Sequence, residues 1–306
     1  MKKAPLVFSV KGNSLDDGPG IRSVIFFKGC PLDCVWCHNP ESKNPDAELS
    51  FDAQKCVGCD TCLDTCEEDA LSRDNPFFVD RAKCALCFEC AQNCPSGALS
   101  RTGEEWTVEK LVAKVSRDLP FYKTSGGGVT YSGGEPTLNL EFLAELVAAV
   151  KAKGIHNLIE TCGLFDLDRF RELILPHTDA IYMDLKLFDP AEHKKRCGVD
   201  NGVILGNFAS LAEEAKTGRF TLLPRIPLVP GITDENENLE AIAQFLAGLD
   251  IHEVRLLPNN PTWHDKLPTL GGESPFGPDS PLRQWLPQER MEECKGIFRK
   301  FGIENM

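Results

Sequence analysis

Eleven of the fourteen cysteines fall into three short runs whose spacing is that of metal ligands. The first run, Cys30-Pro31-Leu32-Asp33-Cys34-Val35-Trp36-Cys37-His38, places three thiols at CxxxCxxC spacing. A [4Fe-4S] cube usually takes four thiolates, so a loop that supplies three leaves one iron free for a ligand that is not protein. That open corner would make Cys30, Cys34 and Cys37 a reactive centre. A zinc knot of the three thiolates plus His38 is the competing assignment, but His38 follows Cys37 directly and has little room to close a tetrahedron.

The other two runs repeat one pattern, CxxCxxCxxxC, first at Cys56, Cys59, Cys62 and Cys66, then at Cys84, Cys87, Cys90 and Cys94 with Pro95 after it. This matches the two-cluster bacterial ferredoxin pattern, in which the fourth thiolate of each run ligates the other run's cluster. The wiring expected is crossed. Cys56, Cys59, Cys62 and Cys94 would hold one cluster, and Cys84, Cys87, Cys90 and Cys66 the other. Glu67 stands where the first run would carry its proline, which leaves the ligands intact. Paired zinc sites are the alternative and suit such tight runs less well. Full ligation would make both clusters electron relays or scaffolds beside the open one.

With 306 residues and 42 % hydrophobic composition the chain can bury an ample core. Its formal net charge of -13 and lack of a basic run argue against nucleic acid, whose phosphates need clustered Lys and Arg. Thiols at metal spacing rather than disulfide spacing place it in a reducing cytoplasm. Lys2 and Lys3 precede an apolar stretch broken at Lys11 with no small-residue cleavage site, so no signal peptide is expected, and no segment is apolar and long enough to span a membrane.

The elements that must position these groups alternate. Leu6 to Val10 and Ile21 to Phe27 read as strands, the second running into Gly29-Cys30, with Asp16-Asp17-Gly18-Pro19-Gly20 as a turn between them. A helix is expected from Trp106 to Leu119 with Thr107 as N-cap, then a strand ending in Ser132-Gly133-Gly134-Glu135-Pro136, then a helix from Glu141 to Ala152. Glycines at a strand end let backbone approach a ligand, although a plain turn before the helix explains the pair equally well. Strands follow at Ile155 to Glu160, Ala180 to Met183, Arg219 to Leu223 and Glu253 to Leu257, with a helix from Asn238 to Leu249. Alternation of this kind predicts a parallel sheet or barrel with its active site at the C-terminal strand ends. The cysteine loop, Gly133, Gly134, Glu135, Glu160, Asp184, Lys186, Arg225 and Asn260 all fall there. A rim salt bridge among Glu160, Asp184, Lys186 and Arg225 is the bland alternative. Cys162, Cys197 and Cys294 read as buried inert thiols, and five of the histidines, His156, His177, His193, His252 and His264, show no metal spacing. Gly271 to Trp285 reads as a loop before a last helix from Pro287 to Phe301.

Taken together, DGPGIR, CPLDCVWCHNPES, SGGGVTYSGGEP, ETCG, MDLK and RIPLVPG make the chain resemble, nearly end to end, the glycyl-radical-enzyme activating enzymes of the radical S-adenosylmethionine (SAM) superfamily. The fold this implies is α/β: a partial (β/α)6 radical SAM barrel with an inserted ferredoxin-like domain carrying two [4Fe-4S] clusters. Residues 1–50 would begin the barrel, 51–102 form the insert, and 103–306 complete the barrel and C-terminal helix. The implied cofactors are three [4Fe-4S] clusters and SAM. Carried over by motif, Trp36 and His38 flank the cofactor, Gly134 and its neighbours Gly133 and Glu135 meet the methionine ammonium, Asp184 and Lys186 contact methionine or ribose, and Arg225 assists. Glu160, Thr161 and Asp184 resemble the place where some relatives hold a monovalent cation against the SAM carboxylate, with Glu160 replacing an aspartate. Asn260 stands where relatives often have histidine, and an amide cannot titrate. The implied activity is reductive cleavage of SAM to a 5'-deoxyadenosyl radical that takes a hydrogen from a glycine α carbon of a partner enzyme, with ferredoxin or flavodoxin as electron donor. The chain is read as a monomer. A radical SAM enzyme acting on a small molecule or peptide and a non-catalytic electron carrier are the alternatives.

Overall fold

The computed structural model describes residues 4–306, so Lys2 and Lys3 lie outside the described residues. The chain opens with β1 (Leu6–Ser14) antiparallel to β2 (Arg22–Phe27), which delivers the cysteine loop. Next come β3 (Glu48–Phe51), the short helices α1 (Thr61–Thr65) and α2 (Glu89–Gln92), and β4 (Leu99–Thr102). β3 and β4 pair antiparallel as a separate two-stranded sheet that brackets both ferredoxin-type runs. β5 (Glu104–Glu105) returns to pair with β1. Then follow α3 (Val108–Val115), α4 (Leu119–Ser125), β6 (Gly128–Gly133), α5 (Leu140–Lys151), β7 (His156–Thr161), α6 (Leu167–Leu173), β8 (Ala180–Asp184), α7 (Pro190–Cys197), α8 (Gly202–Ala215), β9 (Thr221–Leu228), α9 (Asn236–Gly248), β10 (Glu253–Pro258), α10 (Gln288–Arg299) and β11 (Glu304–Asn305).

The main sheet has the order β11-β10-β9-β8-β7-β6-β2-β1-β5. From β2 through β6 to β10 the strands are parallel and pair in chain order, each followed by helix, which is the connectivity of an open (β/α)6 sheet. Parallel strands covered on both faces must be apolar throughout. Accordingly Val24, Ile25, Val129, Tyr131, Leu158, Ile159 and Ile181 have no exposed surface. Helix α5 buries Leu140, Leu143, Leu146, Val147 and Val150, the one-sided spacing of an amphipathic helix. Each such burial contributes about 1.5–3 kcal/mol, enough to seat the helix that follows the glycine pair.

Two expectations shift. The helix expected from Trp106 to Leu119 ends at Val115; Thr107 does cap it, accepting from Lys110 N, but a 3-10 turn at Ser116–Asp118 then leads into α4, with Pro120 in its first turn. Proline fits there because the first-turn N–H groups have no helical partner. Strand β9 runs on to Leu228 through Pro224 and Pro227, so Arg225 lies inside a strand rather than after it. In a parallel strand successive residues bond to opposite neighbours, and Leu185 N donates to Arg225 O, so Pro224 and Pro227 face β10 and β8 respectively. Pairing with β10 starts at Arg225 and pairing with β8 stops there, so neither missing N–H interrupts a ladder.

The turn before β2 is locked to β6 by a wholly buried arginine. Arg22 Nε donates to Thr130 Oγ1 at 2.6 Å, Nη2 to Val129 O at 2.7 Å and Nη1 to Pro19 O at 3.2 Å, while burial pushes its guanidinium down to about 10. The turn also lies directly on the glycine run before β6. A Cβ on Gly20 would sit 2.5 Å from Gly127 N, and one on Gly127 1.8 Å from Ile21 O, so two glycine motifs far apart in sequence are explained by one backbone contact. At the other end of β2, buried Lys28 donates to Glu41 O and Glu48 Oε2, each at 2.7 Å, joining the cysteine loop to β3.

Candidate active site

A cavity of about 750 Å³ opens at the C-terminal ends of the parallel strands, within the about 300–1,000 Å³ common for small-ligand sites. Cys30, Cys34 and Cys37 form one wall with Trp36 and His38, and Gly133, Gly134, Glu160, Asp184, Lys186, Arg225 and Asn260 complete the rim. Glu135 alone among the residues expected there stays out. It is 1 % exposed and its carboxylate accepts four hydrogen bonds, from Thr137 N, Thr137 Oγ1 and Thr161 Oγ1 to Oε1 and from Cys162 N to Oε2. Its place is therefore behind the wall, tying the end of β6 to the end of β7.

The glycine pair serves a close backbone approach. Gly134 N donates to Phe27 O and Glu135 N to Gly29 O, each at 2.8 Å, and a Cβ on Gly134 would lie 2.2 Å from Gly29 O. Any side chain at Gly134 would push the cysteine loop off β6. The loop is held on its other side by α7, where Asp33 N donates to Cys197 O at 2.8 Å and Val35 N to Arg196 O at 3.1 Å.

Burial governs the loop's ionisation. It pushes Cys30 up to about 12, with the Glu135 charge adding, and Cys37 to about 11. It pushes His38 down to about 4, aided by Lys266 and Lys186, so the imidazole is neutral at ordinary pH, and its buried Nε2 has no hydrogen-bond partner. The His38 ring stacks on Trp263 with centroids 6.4 Å apart, and Lys266 Nζ donates to His38 O at 3.0 Å and pairs with Glu41 at 2.8 Å.

The rim charges form one chain. Arg225 Nε donates to Asp184 Oδ1 at 2.8 Å, Arg225 Nη1 pairs with Glu160 Oε1, and Lys186 Nζ pairs with Asp184 Oδ2 at 2.8 Å. Burial opposes ionisation of Asp184, but Arg225 and Lys186 outweigh it and hold the carboxyl below its usual range. For Glu160 burial wins, raising its carboxyl despite Arg225. Burial also works against the charges of Lys186 and Arg225; Asp184 reverses it for both, with Glu160 helping at Arg225, and both sit above their ordinary values.

Several wall residues escaped the sequence reading. Asp16 and Asp17 of the turn border the cavity, a placement the DGPG string signalled without a role. Arg255, Leu257 and Trp285 also line it, and nothing in a Pro/Gly-rich loop marked Trp285. Cys162, read as inert, is on the wall too, and burial together with the Glu135 charge behind it pushes its thiol well above the usual range. Cys197 is wholly buried in the same apolar cluster as Cys34. Asn260 spends its side-chain oxygen as a cap, accepting from Thr262 N at 3.0 Å and Thr262 Oγ1 at 2.8 Å.

The two ferredoxin-type runs interleave in space. Cys56, Cys59 and Cys62 border a cavity together with Cys94, while Cys84, Cys66 and Cys87 are the charged neighbours that, after burial itself, raise the Cys90 thiol to about 11. Phe51 and Phe78 stack beneath them at 4.2 Å and Arg101 covers Phe88 at 4.8 Å. Among the described residues no three His, Cys, Asp or Glu side chains converge tightly enough for a single metal ion.

The residues of the main cavity fit a SAM-bearing cluster: the three loop thiols on one wall, an unpartnered buried imidazole nitrogen, and a glycine cradle at the strand end. Comparison with known proteins agrees. The model of the Radical SAM superfamily matches residues 81–246, and that of a 4Fe-4S single cluster domain matches residues 16–70. The trans-4-hydroxy-L-proline dehydratase activating enzyme of Clostridioides difficile is 38 % identical over 298 residues, covering 96 % of this chain and 96 % of that protein. The isethionate sulfite-lyase activating enzyme of Desulfovibrio desulfuricans is 37 % identical over 282 residues, covering 90 % and 89 %. The solved structure of a radical SAM methyltransferase from Sphaerobacter thermophilus shares the fold at a TM-score of 0.53 and 16 % identity, covering 100 % of this chain and 77 % of that one.

Proposed function

The chain belongs to the radical SAM activating enzymes of glycyl radical enzymes, and from that premise we propose how its own residues divide the work. It is an enzyme, and its substrate is a partner protein of the glycyl radical class. When bound, the three-thiolate [4Fe-4S] cluster and SAM supply the chemistry, a one-electron reductive cleavage of the sulfonium that gives methionine and a 5'-deoxyadenosyl radical able to take a hydrogen from the partner's glycine α carbon.

Cys30, Cys34 and Cys37 would hold the cluster, since all three line the cavity that the rim residues close. Lys186 and Arg225 meet the SAM carboxylate, and the strand-end backbone at Gly133 and Gly134 meets its ammonium. Trp36 and His38 flank the cofactor, and neutral His38 uses its unpartnered Nε2 as an acceptor or donor toward it. Asn260, with its oxygen committed to a cap, has only its amide N–H groups to offer the nucleoside side. No side chain is asked to act as a general base, because the hydrogen leaves as an atom. The protein's part is to orient the cofactor and exclude water.

The insert, residues 51–102, is a ferredoxin-like domain with two further [4Fe-4S] clusters in crossed ligation. Support comes from Cys94 lying with the first run and Cys66 with the second. A zinc ion would draw four thiolates to about 2.3 Å of one centre, whereas a cube spreads them over four irons. Held by these eight thiols, the two clusters would supply an electron path from a ferredoxin or flavodoxin toward the cysteine loop, in the reducing cytoplasm, with the enzyme a monomer.

The observation that carries the reading is the convergence of the three loop thiols and the rim charges on one cavity. The test is anaerobic reconstitution, reduction in the presence of SAM and a candidate partner, and measurement of 5'-deoxyadenosine and of a glycyl doublet by paramagnetic resonance. Both products are expected. Deoxyadenosine without the doublet for any glycyl radical partner would move the substrate assignment to a small molecule or peptide, and neither product would overturn the assignment of the site.

A further inference from the structure

We propose that Arg225 takes the place of a monovalent cation at this rim, so that the chain holds the methionine end of SAM without an alkali ion. The inference rests on the SAM assignment above. The groups placed to hold such a cation by family resemblance are Glu160, Thr161 and Asp184, and each side chain is already engaged by an ion pair or a hydrogen bond. Glu160 Oε1 makes no hydrogen bond but faces Arg225 Nη1 as an ion pair, and Oε2 accepts from Ser132 Oγ at 2.7 Å. Asp184 Oδ1 accepts from Arg225 Nε at 2.8 Å and Oδ2 pairs with Lys186 Nζ at 2.8 Å. Thr161 Oγ1 donates to Glu135 Oε1 at 2.8 Å and accepts from Gly163 N at 3.0 Å. A hard cation held by these oxygens would sit against the Arg225 guanidinium and the Lys186 ammonium that already pair with them, and like charges at such range repel. These residues therefore do not fit one.

Charge leads to the same result. The carboxylates of Glu160 and Asp184 face two fixed cations, Arg225 and Lys186, so these two acids are matched charge for charge by side chains rather than by an ion. Asp16 and Asp17 also border the cavity, and Arg255 offsets part of their charge. The glutamate itself makes the substitution workable. From β7 it reaches Ser132 on neighbouring β6 and, past β8, Arg225 on β9. An aspartate, one methylene shorter, would not span both, leaving a carboxylate free for an ion.

The experiment is the dissociation constant of SAM from the reconstituted, unreduced enzyme, by equilibrium dialysis in chlorides of potassium, sodium and tetramethylammonium at one ionic strength. We expect the three constants to agree within about twofold, the residual spread being non-specific screening. Binding weaker by about tenfold or more in tetramethylammonium overturns the proposal, since an ion worth one decade would then be part of the site. Absence of SAM binding in every salt would instead remove the SAM assignment beneath it. Arg225→Gln supplies the complementary arm: alkali dependence of about tenfold should appear, because Glu160 is then left with an unmatched charge, while Arg225→Lys should remain independent. Arg225→Gln that binds SAM with wild-type strength in all three salts would also refute the proposal.

Discussion

Glu135→Gln tests whether the buried carboxylate behind the wall organises the site rather than touching its contents. Oε1 accepts from Thr137 N at 3.1 Å, Thr137 Oγ1 at 2.6 Å and Thr161 Oγ1 at 2.8 Å, and Oε2 from Cys162 N at 2.7 Å. Glutamine keeps an oxygen for the first three but sets an NH2 group against the Cys162 N–H. One charge-assisted bond worth about 1.5–3 kcal/mol disappears and a buried donor is left unpaired at about 1–3 kcal/mol. Since these overlap in part, and the three remaining bonds lose charge assistance, the expected loss is about 2–5 kcal/mol. That is a large share of the about 5–15 kcal/mol by which a domain is ordinarily stable. Anaerobic urea denaturation of the reconstituted protein, followed by far-ultraviolet circular dichroism, reads the change as a lower midpoint at unchanged slope. A variant within about 0.5 kcal/mol of wild type, the range of an inconsequential surface change, would refute the reasoning.

Crossed ligation predicts that Cys62→Ser and Cys94→Ser each remove the same cluster, so iron analysis of the double variant should show no further loss, whereas adding Cys66→Ser to either should remove about four more irons. Cys37→Ser should remove the open cluster and SAM binding together while leaving the paramagnetic signals of the other two; SAM binding that survives would contradict the site. For pH, the buried imidazole of His193, whose Nδ1 is 2.7 Å from Val199 O, has its pKa lowered first by burial and then by Lys186, with the carbonyl opposing. The unfolded chain then binds the extra proton below the ordinary value of 6.5, so stability falls as pH drops from 6.5 through the lowered folded value, with a slope of at most about 1.4 kcal/mol per pH unit for one proton. His193→Gln should flatten that acid limb in denaturation midpoints measured across the window; an unchanged limb would remove His193 from it.

What the sequence made legible was set by spacing along the chain, and what it hid was set by pairing across the sheet. The thiol runs, the alternation of apolar strands with amphipathic helices, and the glycine pair after β6 all carry their meaning within a few residues. Glu135 could not be placed that way, since two of its four donors come from Thr161 and Cys162 at the end of the next strand. Cys197 was equally hidden, brought to Cys34 only by the docking of α7 on the cysteine loop. Arg225 is the mixed case. Its salt bridge with Glu160 and Asp184 was open to the sequence as an alternative, but the strand was expected to end at Leu223; it continues, and its register aligns Arg225 with Asp184 on one side and Arg255 on the other. A slip of one residue would put Pro224 or Ile226 opposite Asp184 and turn the guanidinium to the other face of the sheet. The charge chain at the rim is therefore a property of strand register: Pro224 and Pro227 sit where they break no ladder, and that is what allows β9 to carry an arginine into line with the ends of its neighbours.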